Sequence, residues 1–340
     1  MFQDKLYEEV FNRHLRNGCN QLDIMGGWVG PVPLADLAST GLKCNVVYGC
    51  LQSGKVRREQ HSAFLTTVQS ASMVNLYYKQ HYNHSKIYLW KQDGQPVDAL
   101  VGSANFSASG LESDGQEVLF SVSDSTVLSQ INDYVVAALA DSKICDTSYN
   151  RFTGASSQPS KVKQNQRDKV ISVTPPHAAI SLVIKKNSTL QTHAAAGLNW
   201  GFESSGQLAP KRQASDAYIP IRKAIVSQLP TLFPNGGLNP NLKKGQGHRN
   251  AIAVAEAIFD DGETMKISFE GYDHTQMVKQ LTSFPSKNIL GKYLRRRLGV
   301  PEDKFVDLEH LNEYGRTNIE VSLLEEGIYY IDFSPTKPSP

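Results

Sequence analysis

The sequence predicts an α/β sandwich followed by an all-β pseudobarrel. Three observations carry that reading. Apolar runs of helix and strand period alternate through the first 145 residues. From Lys169 onward, short strand-like runs are separated by Gly and Pro turns. Between them, Asn150–Arg167 is rich in Ser, Gln and charge and poor in apolar residues, which is the composition of a linker. The expected organisation is a first domain over residues 1–145, a linker over 146–169 and a second domain over 170–336. A chain of 340 residues is long enough for two ordinary domains.

Taken in order, Phe2, Leu6, Val10 and Phe11, with charges between them, predict an amphipathic helix over residues 2–17. Leu22–Trp28 reads as a strand closed by Gly26-Gly27, Pro33–Ala38 as a short helix and Cys44–Tyr48 as a buried strand. A helix near Arg57–Gln69 and strands near Met73–Tyr78, Ile87–Trp90 and Pro96–Val101 continue the alternation. A helix over Asp124–Leu139 closes the domain, and the whole predicts a mixed sheet. In the second domain the expected strands are Val170–Val173, Ala179–Ile184, Ala217–Ile221, Met265–Glu270, Ile319–Leu323 and Ile328–Phe333. Short helices at Pro220–Leu229 and Lys287–Leu298 are expected at the mouths of the barrel.

The net charge of +2 hides an asymmetry. Residues 1–150 carry 11 basic and 15 acidic side chains, and residues 151–340 carry 24 and 18. The stretch 175–250 has nine basic residues and two acidic ones, so the second half is where a polyanion would be held. No apolar run approaches the length of a membrane span, and the N-terminus lacks the apolar core of a signal peptide. Cys19, Cys44, Cys50 and Cys145 show no metal-binding spacing and are expected to be free thiols in a reducing prokaryotic cytoplasm. No metal or cofactor is expected in this chain.

Two stretches carry chemistry. His84 and Lys86 are two apart in a run rich in aromatic and β-branched residues, so an imidazole and an ammonium share one face of a strand. At the end of the next strand, Gly102-Ser103-Ala104-Asn105-Phe106-Ser107 again places two polar side chains two apart, after a turn of small residues. A nucleophile, a fixed cation, an amide and a hydroxyl suit phosphoryl transfer. Glu117 follows in the strand-like run Gln116–Val122, where it is either a solvated carboxylate or a partner that orients the histidine. His14, His61 and His81 read as structural or surface residues.

The pattern H-x-K followed by G-S-x-N-x-S resembles the half-site of the phospholipase D superfamily. Lys91 stands where the longer family motif has an Asp, five residues after Lys86, which favours the nuclease branch over the lipid branch. The family's site uses two histidines. One H-x-K per chain therefore implies a homodimer with the site on its two-fold axis.

The second half also carries a resemblance. Gly197-Leu-Asn-Trp-Gly201, Lys211-Arg212 through Asp216–Ile221, and Ile289–Pro301 resemble the B-three-like DNA-recognition domain of the NgoFVII-type restriction endonucleases, whose members clamp DNA between two arms. Asn, Arg and Lys supply base-edge contacts in such a domain. The first candidate arm carries Asn199, Trp200, Lys211 and Arg212, with Trp200 equally readable as a core aromatic. The second carries Lys287, Asn288, Lys292, Arg295, Arg296 and Arg297, and five of the eleven residues from Lys287 to Arg297 are basic. Lys243–Arg249 is a basic loop suited to a phosphate backbone or simply to the surface.

Together the resemblances imply a type II-like restriction endonuclease acting on double-stranded DNA without a metal. One His84 of the homodimer forms a phosphohistidine, and its counterpart protonates the leaving oxygen. Lys86, Asn105 and Ser107 hold the phosphate, and Glu117 fixes the imidazole tautomer. The chain has no phosphate-binding G-x-x-x-x-G-K-[ST] loop, so any use of ATP and Mg would come through a separate ATPase or helicase-like subunit. A companion methyltransferase would complete a restriction-modification system. Two rivals stand beside this reading. One is a phospholipid phosphodiesterase of the same superfamily; the other is a DNA-binding regulator with an inactive first domain.

Overall fold

The computed structural model describes residues 1–51, 54–112, 117–153, 176–234, 253–271 and 277–335. The chain divides into two units: residues 1–106 with 114–175, and residues 107–113 with 176–340.

The first unit is built on one seven-stranded mixed sheet. Its elements are α1 (Leu6–Asn17), β1 (Gln21–Gly26), α2 (Pro31–Leu37), β2 (Lys43–Tyr48), β3 (Val56–Arg57), α3 (Arg58–Ser70), β4 (Val74–Lys79), β5 (Ile87–Gln92) and β6 (Gln95–Gly102). After α4 (Ala108–Leu111), which groups with the second unit, come β7 (Leu119–Val122), α5 (Ser125–Ala140), β8 (Ser142–Ile144) and β9 (Phe152–Thr153). The sheet order is β7-β6-β5-β1-β2-β4-β8. β1, β2 and β4 run parallel, and β5 turns the pairing antiparallel against β1. Successive residues Leu22, Asp23, Ile24 and Met25 are all buried, as in a strand covered on both faces. α5 covers one face: Leu128, Val135 and Ala138 pack with Met25, Val47, Leu89 and Ala99.

Several sequence expectations need adjustment. α1 starts at Leu6 because Lys5 takes a left-handed conformation, φ 56°, and Phe2 instead bridges to Leu119 with a backbone bond of 2.7 Å. The strand expected near Ile87–Trp90 forms as β5, so His84 and Lys86, read as sharing a strand face, lie instead in the segment leading into it. Residues 146–153, expected in the linker, belong to the first unit: Tyr149 is buried, and β9 pairs with β3. The remainder of the expected linker, the Val170–Val173 strand and the Lys243–Arg249 loop lie outside the described residues. Lys91 is not a lone substitution. It is buried with Asp23 of β1, Nζ to Oδ2 2.6 Å, and Gln21 and Asn45 bond the other oxygen of that carboxylate. Among the described residues all four cysteines are buried and free, and burial pushes the Cys44 thiol up to about 12 and Cys145 to about 11.

The second unit comprises β10 (His177–Ser181), the hairpin β11 (Val183–Lys186) and β12 (Thr189–Thr192), β13 (Ile219–Pro220), α6 (Lys223–Gln228), β14 (Ala253–Phe259), β15 (Thr264–Glu270), β16 (Gln280–Ser283), α7 (Lys287–Leu298), α8 (Leu308–Tyr314), β17 (Asn318–Glu325) and β18 (Ile328–Asp332). The order β10-β17-β18-β14-β15-β16-β13 returns its last strand towards its first, which makes a nearly closed barrel. Ile267, Phe269, Leu281, Ile319, Val321 and Ile331 fill it. β12, β14, β16 and α8 were not expected, and the expected strand Ala179–Ile184 is broken at Leu182 between β10 and β11. β14 is Ala-rich with a buried Glu256 at its centre, which hid its strand character. α7 forms where expected, with Leu290, Tyr293 and Leu294 inward at helical spacing. Gly291 permits its close approach: a Cβ there would lie 1.7 Å from the Ser215 carbonyl oxygen.

Candidate active site

His84, Lys86 and Asn105 come together at the end of the first unit's sheet where β1 and β2 finish. The ammonium of Lys86 is 2.6 Å from Nε2 of His84 and 3.0 Å from its carbonyl oxygen. Lys86 is buried while His84 is exposed, so a fixed cation stands behind an accessible imidazole. Asn105 accepts the Trp28 N–H through Oδ1 at 3.0 Å, which leaves its amide N–H groups to be offered to an anion.

The meeting point is Gly27. A Cβ there would lie 2.8 Å from Cδ2 of His84, 2.9 Å from Oδ1 of Asn105 and 3.1 Å from Sγ of Cys50. No side chain is tolerated at that position without displacing the site. The Gly26-Gly27 pair is visible in the sequence as the end of a strand, but nothing in one sequence says that the turn supports His84.

Three further residues hold the motif segment. Asn83 accepts the Ser85 N–H at 2.9 Å and donates from Nδ2 to the Tyr134 hydroxyl at 2.6 Å. Ser85 Oγ lies 2.8 Å from the same hydroxyl. The Asn83 N–H bonds the Gly49 carbonyl at 2.9 Å. The residues on either side of His84 are thus tied to one tyrosine on α5. Tyr82 stacks on the imidazole, with ring centroids 6.2 Å apart and planes 16° apart. Tyr134 carries no sequence signal, because it lies about fifty residues downstream on a helix.

Ser107 and Glu117 are placed differently. Ser107 belongs to the segment that groups with the second unit, and its hydroxyl caps α4 by accepting the Gly110 N–H at 3.2 Å. Glu117 is half-buried just before β7, and its charge, after burial, helps raise the phenol of Tyr88. Among the described residues His84 has no bond to Glu117, so the expected tautomer-fixing contact is replaced by the contact with Lys86.

In the second unit the expected DNA contacts divide into three groups. Asn199 is fully buried, donating to the carbonyls of His193 and Val306 and accepting the Val306 N–H; it is a structural bracket, not a surface reader. Arg295 is 1 % exposed and donates to the carbonyls of Leu198, Lys304, Ser215 and Gly291. Burial pulls its guanidinium down to about 10, which still leaves it charged at neutral pH. Arg297 is locked against Asp260, Tyr293 and Tyr314. A residue count sees a basic helix; the fold turns two of its three arginines inward. The second group is exposed but paired: Lys292 with Glu302 at 3.0 Å and Arg296 with Glu263 at 3.3 Å. Lys287 is bonded to Glu270, and Asn288 to Gln213. The third group is the loop before β13. Arg212 lies 3.5 Å over the Trp200 ring, and Lys211 is exposed in a left-handed turn, φ 62°.

No helix among the described residues is long and apolar enough to cross a membrane. No curated protein sequence matches the chain. Among solved structures, a phospholipase D family member, Nuc from Salmonella typhimurium, aligns with 12 % identity and a TM-score of 0.30, over 38 % of this chain and 84 % of its own. NucT from Helicobacter pylori aligns with 15 % identity and a TM-score of 0.32, over 42 % and 91 %. Residues 4–151 match the model of the NgoFVII restriction endonuclease N-terminal PLD domain. Residues 172–325 match the NgoFVII C-terminal B3-like DNA-binding domain. With an H-x-K constellation in the first span and a nearly closed barrel in the second, the chain belongs to the NgoFVII restriction endonuclease family.

Proposed function

We propose that this endonuclease hydrolyses a DNA phosphodiester through a phosphohistidine on His84, without a metal ion, at a site completed by a second copy of the chain. The observation that carries the reading is the convergence of His84 and Asn105 on Gly27, with the Lys86 ammonium against the imidazole. Lys86 donates to Nε2, so that nitrogen carries a lone pair and is the attacking atom. When a phosphate enters, the ammonium moves its hydrogen bond to a non-bridging oxygen and stabilises the charge that grows there. The Asn105 amide supplies a second donor. Attack on phosphorus forms a P–N bond and breaks the P–O bond to the leaving strand, whose oxygen takes a proton from the second copy's imidazole. That imidazole then removes a proton from the water that hydrolyses the phosphohistidine.

The loop carrying Lys211 and Arg212, braced on Trp200, is an exposed basic element of the second unit and the one we assign to the DNA. Ser107 stays in the proposal as the cap that fixes the chain beyond Asn105. An ATPase subunit and a companion methyltransferase belong to the same proposal.

The test is cleavage of a mixed-sequence plasmid in EDTA, with and without a cell extract's ATPase fraction plus Mg-ATP. Discrete fragments in EDTA alone support a metal-free, self-sufficient enzyme. Fragments only with ATP and the extract make the partner obligatory and overturn self-sufficiency. No fragments under either condition overturn the nuclease reading. An acid-labile, base-stable label on His84 after quenching with end-labelled DNA supports the covalent step. Sedimentation as a monomer at cleaving concentrations overturns the shared site.

A further inference from the structure

We propose that the two-stranded ribbon of β3 and β9 holds the DNA backbone beside the scissile phosphate, through Lys55, Arg58 and Arg151. The inference rests on the nuclease reading and adds to it a phosphate-binding surface on the first unit. β1, β2 and β4 are parallel, so Gly26, Tyr48 and Lys79 end on one rim of the sheet. The site occupies that rim, as ligand sites at the carboxyl ends of parallel strands do.

The ribbon is fastened to the same rim. Val56 pairs with Phe152, and the Val56 N–H bonds the Arg151 carbonyl at 3.1 Å. Arg151 donates to the side chain of Gln80, the residue that follows β4, and Tyr149 donates to the Gly54 carbonyl. Behind it, His61, Tyr78, Tyr149 and Phe152 form a packed aromatic cluster, and Arg58 lies 4.4 Å over Phe152. The cations therefore sit on a firm base.

Charge sets this ribbon apart as a cluster: Lys43 and Lys143, the other exposed cations of the unit without an ion pair among the described residues, stand singly on β2 and β8. Lys5, Arg13, Arg16, Lys79 and Lys91 each face a carboxylate. Among the described residues, the exposed Lys55, Arg58 and Arg151 have no ion pair. The nearby Asp146 is occupied by the Ser148 N–H and hydroxyl, and exposed Glu59 is the one acidic neighbour in the ribbon's own sequence. Residues 1–150 carry more acidic than basic side chains, so a cluster of unpaired cations on the catalytic rim stands out against its surroundings. The step from β1 to β4 is two strand spacings, roughly 10 Å. DNA carries a phosphate every ~3.4 Å of axis per strand, so the ribbon reaches phosphates about three nucleotides from the cut. Such contacts position a strand without reading its sequence.

The experiment compares the full-length chain, the triple variant K55Q/R58Q/R151Q and a control, Lys43→Gln. Lys43 is an exposed cation at the start of β2, on the opposite rim. Binding of a labelled duplex is measured by fluorescence anisotropy across a salt series. Each lost phosphate contact lowers the slope of log K against log salt by about 0.9. The triple variant is therefore expected to lose about 2.7 from the slope, and wild type to weaken about 40-fold more than the variant between 50 and 200 mM salt. The control keeps the wild-type slope. K55R/R58K/R151K keeps it too, which separates charge from packing. Lys55→Gln alone, at an exposed position, should lose about 0.9 and serves if the triple variant does not fold. A triple or single variant with the wild-type slope overturns the ribbon proposal. Plasmid cleavage by the wild-type preparation is scored in parallel: if it fails, the nuclease reading falls; if it succeeds while the slopes coincide, only the ribbon falls.

Discussion

In each unit one cation is buried beside the feature that defines the unit, and the two serve opposite ends. Lys86 of the first unit is buried yet directed to the surface: its ammonium stands 2.6 Å from Nε2 of an exposed histidine. Arg295 of the second unit is buried deeper and directed inward, onto four backbone carbonyls. A buried charge is tolerated when hydrogen bonds replace its water. What differs is whether one of those bonds is exchangeable. In the proposed reaction Lys86 trades its imidazole bond for a phosphate oxygen, and that trade is chemistry. Arg295 has nothing to trade, and its bonds are architecture.

The largest effect that sharpens this contrast is His84→Ala. In the proposed mechanism the nucleophile and the second copy's acid are the same residue, so cleavage should fall by about 10⁴-fold or more. DNA affinity should stay within about twofold, since the recognition unit is untouched. Cleavage within about tenfold of wild type would remove His84 from the reaction.

Next in size is Arg295→Met. Four carbonyls lose their donor inside the barrel unit, where unsatisfied polar groups cost ~1–3 kcal/mol each, partly relieved by relaxation. A loss of about 3 kcal/mol is expected in thermal unfolding of the full chain. If instead stability held and DNA binding fell, Arg295 would have to reach the nucleic acid.

The contrast also explains what the sequence could disclose. His84, Lys86 and Asn105 were legible because a reacting phosphate dictates both the residue types and their spacing within two short segments. α1, α3 and α5 were legible because each carries an apolar helical period, and β1 and β2 because each is a short apolar run bounded by turn residues. The role of each arginine in α7 was not legible. Whether a helical arginine faces the barrel or the solvent depends on Ser215, Leu198 and Lys304, which lie far away in the chain. Tyr134 was hidden likewise: it acts through a loop about fifty residues away, and no local pattern marks it.

Tyr134→Phe tests that hidden contribution at smaller scale. The ring stays, and the hydroxyl that ties Asn83 and Ser85 is lost. A less firmly held imidazole should lower kcat by about tenfold and leave KM within about twofold. A purely structural hydroxyl would shift thermal stability and leave kcat alone.

The smallest expected effect falls on Lys292 and Arg296, and it probes the contrast from the other side. Both are exposed and basic, which is what the sequence reading valued. Yet each is matched by a carboxylate: Glu302 at 3.0 Å and Glu263 at 3.3 Å. Exposed pairs of this kind contribute ~0–1 kcal/mol to stability, and the paired field offers a phosphate little net attraction. Replacing both cations by Gln should change duplex affinity by less than about threefold and barely alter its salt slope. Lys211→Gln, at an exposed lysine in the loop before β13, should by contrast lower the slope by about 0.9. A tenfold loss in the Lys292 and Arg296 variant would mean that the DNA displaces Glu302 and Glu263, and that the outer face of α7 belongs to the recognition surface after all.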